Sequence, residues 1–228
     1  MQGVRKLFFL GGEPSVMRSI PVLLQHCIDQ DIAKNIEVQF STNLTNPATK
    51  CIEKLSHFKS VQLTFSIDGF EKVNDYIRYP SKWDVVKKNL KTMLKLPKPF
   101  FFVTSPVPQV YNILNWYDLM SFWQTVNVWN DVLVAPCHLE DPGFLKINNL
   151  PISLRPLAID RLQKCLKLDI CRKGEIIKEK IKFMIAELEK KPMGTMFEDR
   201  LKLYTHSVDS HRNMDIKDYI PDLANGLL

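Results

Sequence analysis

The sequence predicts an α/β fold built on a parallel sheet, and three observations predict it. Apolar segments alternate about five times with segments of helical period, each unit spanning roughly 25 to 35 residues. Small polar clusters close successive apolar segments: Gly11-Gly12-Glu13, Ser41-Thr42-Asn43 and Ser66-Ile67-Asp68-Gly69. From Pro151 onward the strands stop and only helical patterns remain. Crossovers between successive parallel strands are expected to be right-handed.

Leu7 to Leu10 is unbroken hydrophobic, as for a strand buried on both faces of a parallel sheet. Gly11 and Gly12 then permit positive φ and bring main-chain groups within reach of a ligand. Glu13 offers a carboxylate, and Pro14 presets φ for the helix expected over Val16 to Ile32, where Ile20, Leu23, Leu24, Cys27 and Ile28 recur at helical spacing. Ile36 to Phe40 alternates as a strand, and Pro47 opens a second helix carrying Cys51, Ile52, Leu55 and Phe58. Val61 to Ile67 reads as the third strand, Asn74 to Pro80 as a loop, and Trp83, Val86, Leu90, Met93 and Leu94 as a helix broken by Pro97-Lys98-Pro99. Phe100 to Thr104 is the fourth strand, Tyr111 to Val126 a helix, and Asp131 to Ala135 the fifth strand. Beyond it, Ile159 to Leu168 is helical, and the stripe Ile176, Ile177, Ile181, Met184, Ile185 and Leu188 marks a long amphipathic helix ended by Lys191-Pro192. Met196 to His206 suggests one more helix, while Asp215 to Leu228 is too mixed to assign. The division expected is a core over residues 1–150 and a helical C-terminal extension over residues 151–228, with no Gly/Ser-rich linker between them.

A chain of 228 residues with 45% hydrophobic and 25% charged content reads as an ordinary soluble globular protein. It has neither a signal-peptide pattern nor an apolar run long enough to cross a bilayer, so a cytoplasmic location and no membrane partner are expected. Of the net charge of +6, five lie between Arg155 and Lys202, where 13 Lys and Arg meet 8 Asp and Glu. Without aromatic interleaving this is read as a solvated helical face, and nucleic acid is not expected as a partner. The five cysteines (Cys27, Cys51, Cys137, Cys165, Cys171) show no C-x-x-C and no Cys/His ribbon, so they read as reduced structural thiols. Cys165 and Cys171 are expected on different faces of one helix, and Cys137 is the only cysteine expected near a strand-end pocket.

Ligands of parallel α/β proteins lie beyond the carboxyl ends of the strands. There the sequence sets Gly11, Gly12 and Glu13, then Thr42 and Asn43, then Ser66 and Asp68, with Arg78 a short loop away. An acceptor carboxylate, small hydroxyl and amide groups and a guanidinium together suit a ligand bearing an ammonium and a carboxylate. Each piece also has a plainer role: Ser41-Thr42-Asn43 as a helix cap, Asp68-Gly69 as a turn, Arg78 as a surface arginine.

The order of Gly-Gly-Glu-Pro, Ser-Thr-Asn, Ser-Ile-Asp-Gly and Tyr-Ile-Arg-Tyr-Pro-Ser-Lys-Trp resembles the radical S-adenosylmethionine (radical SAM) superfamily, most closely its twitch or SPASM-like branch. The likeness extends to Asp209-Ser210-His211-Arg212 and Tyr219-Ile220-Pro221-Asp222-Leu223. It implies a partial (β/α)6 barrel and S-adenosylmethionine (SAM) as cofactor. Gly11, Gly12 and Glu13, followed by Pro14, would hold the methionyl ammonium; Thr42, Asn43 and Ser66 would add polar contacts; Asp68 would shape the pocket near the ribose. Arg78 would meet the SAM carboxylate, and apolar residues around Val107 and Val134 would flank the adenine. Complete members also bind a four-iron (4Fe-4S) cluster on C-x-x-x-C-x-x-C and generate a 5′-deoxyadenosyl radical that acts on a peptide or small molecule.

This sequence has no such cysteine spacing. The resemblance therefore implies a fragment, or a split-gene product whose first barrel strand is a separately encoded N-terminal segment, or a catalytically inactive binding module with a remnant SAM pocket. Without that strand, Val4 to Leu10 is expected at an unpaired, apolar sheet edge.

Overall fold

A computed structural model describes residues 3–127, 131–190 and 195–227. In chain order its regular elements are β1 (Lys6–Phe9), α1 (Ser19–Asp29), β2 (Glu37–Thr42), α2 (Thr49–Leu55), β3 (Ser60–Phe65), α3 (Lys72–Ile77), α4 (Trp83–Met93), β4 (Phe100–Thr104), α5 (Trp116–Asn127) and β5 (Val132–Val134). Six helices follow: α6 (Arg155–Cys165), α7 (Asp169–Lys173), α8 (Glu175–Glu189), α9 (Thr195–Arg212), α10 (Ile216–Tyr219) and α11 (Pro221–Leu227). The fold is α/β. Its five-stranded sheet has the order β1-β2-β3-β4-β5, and β1 through β4 pair in parallel.

Register explains the two faces of this sheet. Leu7 lies beside Val38, Val38 beside Val61, and Val61 beside Phe100; the next inward row is Phe9, Phe40, Leu63 and Phe102. Val38, Phe40, Val61, Leu63 and Phe65 are buried, whereas Gln39, Ser41, Gln62 and Thr64 on the alternate positions are half-buried. Leu7 to Leu10 departs from the expectation of burial on both faces. β1 is the last strand in the sheet order, with a partner on one side, and Phe8 and Leu10 are 59% and 63% exposed.

Two compact units divide the chain: Met1–Ile67, Ser81–Ser105 and Asn130–Leu133 form one, and Asp68–Pro80, Pro106–Trp129 and Val134–Leu228 the other. In the first, α1 buries Ile20, Leu24 and Cys27, α2 buries Cys51 and Leu55, and α4 buries Val86, Leu90 and Met93, all at spacings of three or four. Asn89, buried on α4, donates its Nδ2 to the Leu44 carbonyl at 2.7 Å, so a polar group inside this layer is satisfied. The helix expected from Val16 starts later, because Pro14–Val16 forms a one-turn 3-10 helix, and it stops at Asp29, two residues before Asp31 takes a positive φ of 53°.

In the second unit, the buried Arg155 guanidinium donates to the carbonyls of Asn148, Leu150, Leu188 and Lys190, tying the start of α6 to the end of α8. The segment expected as a loop from Asn74 holds most of α3. Six residues are too few to show an apolar period, and tertiary contacts fix them. Tyr76 is buried; its hydroxyl donates to Asp209 at 2.9 Å, its ring meets Tyr111 edge-on, and Arg212 donates to its carbonyl. Cys165 and Cys171 do not share a helix: α6 ends at Cys165 and Cys171 belongs to α7. Met196 to His206 lies within the longer α9, and the unassigned tail holds α10 and α11. The expected stop at Lys191-Pro192, and Leu228, lie outside the described residues.

Along α6 to α9, side-chain ion pairs at i,i+3 or i,i+4 join Asp160 to Lys164, Asp169 to Arg172, Glu179 to Lys182 and Glu198 to Lys202. Many of this segment's lysines and arginines therefore sit in solvated helical pairs. Among the described residues no helix is long and apolar enough to cross a membrane.

Candidate functional site

In the first unit, three polar clusters follow three adjacent strands. β1 ends in a turn where Gly11 and Gly12 have φ of 81° and 47°, and a Cβ on either would meet no atom within 4 Å. These glycines are demanded by backbone conformation, and the space beside them is open. Glu13 follows, half-buried. Its Oε1 accepts the Ser15 N–H at 3.2 Å, capping the 3-10 turn, and its Oε2 accepts the Asn43 N–H at 2.6 Å, just past β2. The carboxylate is thus fixed between two strand ends. It has about four acceptor positions in all, and these bonds use two.

Thr42 is buried, its Oγ1 accepting the Leu44 N–H at 3.1 Å, and Asn43 Oδ1 accepts from the Thr45 N–H and hydroxyl. Both therefore shape the turn after β2, with Leu44 at a positive φ of 62°. Ser66 is half-buried, and its N–H donates to the Thr42 carbonyl, extending the ladder past β3. The Cys51 thiol on α2 is pushed up by burial, with the Glu13 carboxylate adding to the effect. The sequence-derived positions Gly11, Gly12, Glu13, Pro14, Thr42, Asn43 and Ser66 thus form consecutive strand-end turns.

In the second unit, Asp68 is the hub. Its side chain is 4% exposed; Oδ2 accepts from Arg78 Nε at 2.6 Å and lies 2.6 Å from Nη2 in an ion pair, and Oδ1 accepts the Val107 N–H at 2.8 Å. Its own N–H donates to Asn74 Oδ1, and its carbonyl accepts from Asn112 Nδ2, which also donates to the Val107 carbonyl. Asp68, Arg78 and Val107 are therefore brought together, with the Arg78 fork engaged by Asp68 and Nη1 outside it. Gly69 is required by close approach, since a Cβ there would come within 2.8 Å of the Asn74 nitrogen. Sequence reasoning missed Asn74, Asn112 and Asn115, whose Oδ1 accepts the Phe70 N–H at 2.8 Å. Asn112 Oδ1 also accepts the Gln109 N–H at 2.8 Å, a contact that no local sequence pattern marks.

An ammonium, such as the methionyl ammonium of SAM, suits the two acceptor positions left on Glu13 beside an open glycine turn. A four-iron cluster does not fit this chain's residues. Four of the five cysteines are buried, Cys137 alone is exposed, and among the described residues no group of three or more His, Cys, Asp or Glu could hold a metal. Burial raises the thiols of Cys27, Cys165 and Cys171, the last to about 12, which opposes the thiolate form a metal requires.

No curated protein and no solved structure matches the chain. The family comparison is confined to the N-terminal side, where residues 1–112, from before β1 to the Asn112 that donates to Asp68, match the model of the Radical SAM superfamily.

Proposed function

We propose that this protein is of the radical SAM type, binds SAM at the ends of its parallel strands, and serves the modification of a peptide or small-molecule substrate. The observation that carries this reading is Glu13: a carboxylate beside an open glycine turn, fixed by the Asn43 N–H, with acceptor positions to spare. Main-chain groups of Gly11 and Gly12 and the Glu13 carboxylate take the methionyl ammonium. Pro14 stiffens the turn that presents Glu13, and Thr42, Asn43 and Ser66 line the polar wall.

Asp68 acts as a brace, holding the Arg78 guanidinium and the Val107 main chain. Arg78 is assigned to the SAM carboxylate, and Val107 to the adenine, on the resemblance alone. The sheet is proposed to be part of a (β/α)6 barrel, with residues 151–228 as a helical extension and the cytoplasm as its location. When bound, SAM would supply a 5′-deoxyadenosyl radical for hydrogen abstraction, given one electron from a donor outside this chain's own residues. The thiolates for a four-iron cluster are not provided by this chain's cysteines, and the steps assigned to its residues are limited to binding and orienting SAM.

Calorimetric titration with SAM of the wild type, Glu13→Ala and Arg78→Ala tests the assignment. Each truncation is expected to weaken binding by about 1.5–3 kcal/mol, the range for bonds to charged groups. Unchanged affinity in both variants would remove these residues from the site.

A further inference from the structure

The second unit contains an open cavity of about 380 Å³, lined on one side by the segment after β5 and on the other by α8. None of the residues assigned to SAM lines it. Its volume lies in the range of small-molecule sites. We propose that this cavity binds a small anionic ligand with an apolar body, its carboxylate or phosphate group held by Lys146 and Lys180.

The apolar part of the site is Ile147 and Met184, both buried, together with the half-exposed ring of Phe183. The His138 ring stands edge-on to Phe183 with centroids 5.0 Å apart, so a flat apolar body has an aromatic corner to pack into. Lys180 Nζ lies 2.7 Å from His138 Nε2. An ammonium has no lone pair, so in this contact it donates and Nε2 accepts. The bond therefore orients the Lys180 charge without cancelling it.

Lys146 makes no ion pair with a carboxylate among the described residues. On the acidic side of the lining, Glu187 is paired with Lys190, and Glu140 is exposed. Counting Lys146, Lys180 and Glu140 leaves one positive charge for a ligand to neutralise. Two ammonium groups over an apolar floor select an anion with a hydrophobic body and disfavour a cation of the same shape.

Cys137 gives this cavity a built-in reporter, because it lines it and is the only exposed cysteine of the five. The experiment follows carbamidomethylation of Cys137 by iodoacetamide in the full-length chain, read by peptide mass spectrometry. The probes are phenyl phosphate and, as a cationic control, 2-phenylethylammonium. Phenyl phosphate is expected to slow labelling saturably, and 2-phenylethylammonium to leave it unchanged. Lys146→Gln and Lys180→Gln are each expected to raise the half-protecting concentration about tenfold or more, the equivalent of one charge-assisted bond. Each variant's protection is read against its own ligand-free rate, since a neighbouring ammonium favours the thiolate, and unfolding midpoints matching the wild type check that the fold is intact. Calorimetry of the wild type with phenyl phosphate gives the affinity without relying on a variant. No protection by phenyl phosphate, equal protection by the cation, or unchanged half-protecting concentrations in both variants would overturn the proposal.

Discussion

Removing the Asp68 carboxylate tests the second unit's Asp68–Arg78–Val107 cluster most severely. Asp68→Ala would strip the acceptor from Arg78 Nε at 2.6 Å and the Val107 N–H at 2.8 Å, and remove the counter-ion of the Arg78 guanidinium. Breaking a fully buried ion pair costs about 3–5 kcal/mol. The Arg78 side chain is 33% exposed, so its freed charge regains water, and the ion-pair share falls to about 1–2 kcal/mol. The orphaned Val107 N–H adds about 1–2 kcal/mol, which gives about 2–4 kcal/mol for Asp68→Ala. Arg78→Ala would leave the carboxylate, 4% exposed, without its counter-ion, and should cost about 2 kcal/mol. The double variant loses the pair only once, so the two costs should fall short of additivity by about 1–2 kcal/mol. Urea unfolding of the four proteins measures this directly. A coupling below about 0.5 kcal/mol would refute the reasoning, since that is the scatter expected of independent sites.

Three further outcomes follow from other parts of the molecule. Gly11→Val should destabilise by about 1–2 kcal/mol, because a β-branched residue is forced to a φ of 81° although its Cβ meets no atom; equal urea midpoints for variant and wild type would contradict it. Burial holds the thiols of Cys27, Cys51, Cys165 and Cys171 above their ordinary value of 9.0, and the phenols of Tyr76 and Tyr111 above 10.0. Between those values and the folded ones the folded state holds protons that the unfolded chain has released. Stability is thus complete below pH 9.0 and lost as pH rises toward about 12 for Cys171, so Tm should fall steadily above pH 9.0; a flat profile would contradict it. Anaerobic reconstitution of this chain with iron and sulfide should give no stable cluster absorption near about 400 nm, and stoichiometric iron would show that its cysteines were misjudged.

Much of the architecture was legible in the residues, because a period of two or of 3.6 survives in short windows. Val38 and Phe40, and Val61, Leu63 and Phe65, announce β2 and β3 by alternation, and Val86, Leu90 and Met93 announce α4. The polar punctuation at Gly11-Gly12-Glu13 and Ser41-Thr42-Asn43 did mark strand ends. What sequence could not supply was partnership. Leu7 to Leu10 reads the same whether a strand has one neighbour or two, so the exposure of Phe8 was not visible. Arg78 reads as a free guanidinium, yet its fork is taken by Asp68 ten residues earlier, a bond set by the turn at Gly69 and by α3. Nor did Asn112 announce itself, since its contacts reach 44 residues back to Asp68. Helix α3 escaped because its order comes from Asp209 and Arg212, which local sequence does not report.

The central claim is that the strand-end turn around Glu13 recognises the methionyl end of SAM. Calorimetric titration of the wild-type chain with SAM and with 5′-methylthioadenosine, which keeps the adenosine and lacks the amino-acid end, tests it most directly. A single charge-assisted contact to the ammonium is worth about 1.5–3 kcal/mol, so SAM should bind at least about tenfold more tightly. Glu13→Ala should abolish most of that preference while leaving 5′-methylthioadenosine affinity unchanged. Equal affinity of the wild type for the two ligands would contradict the account.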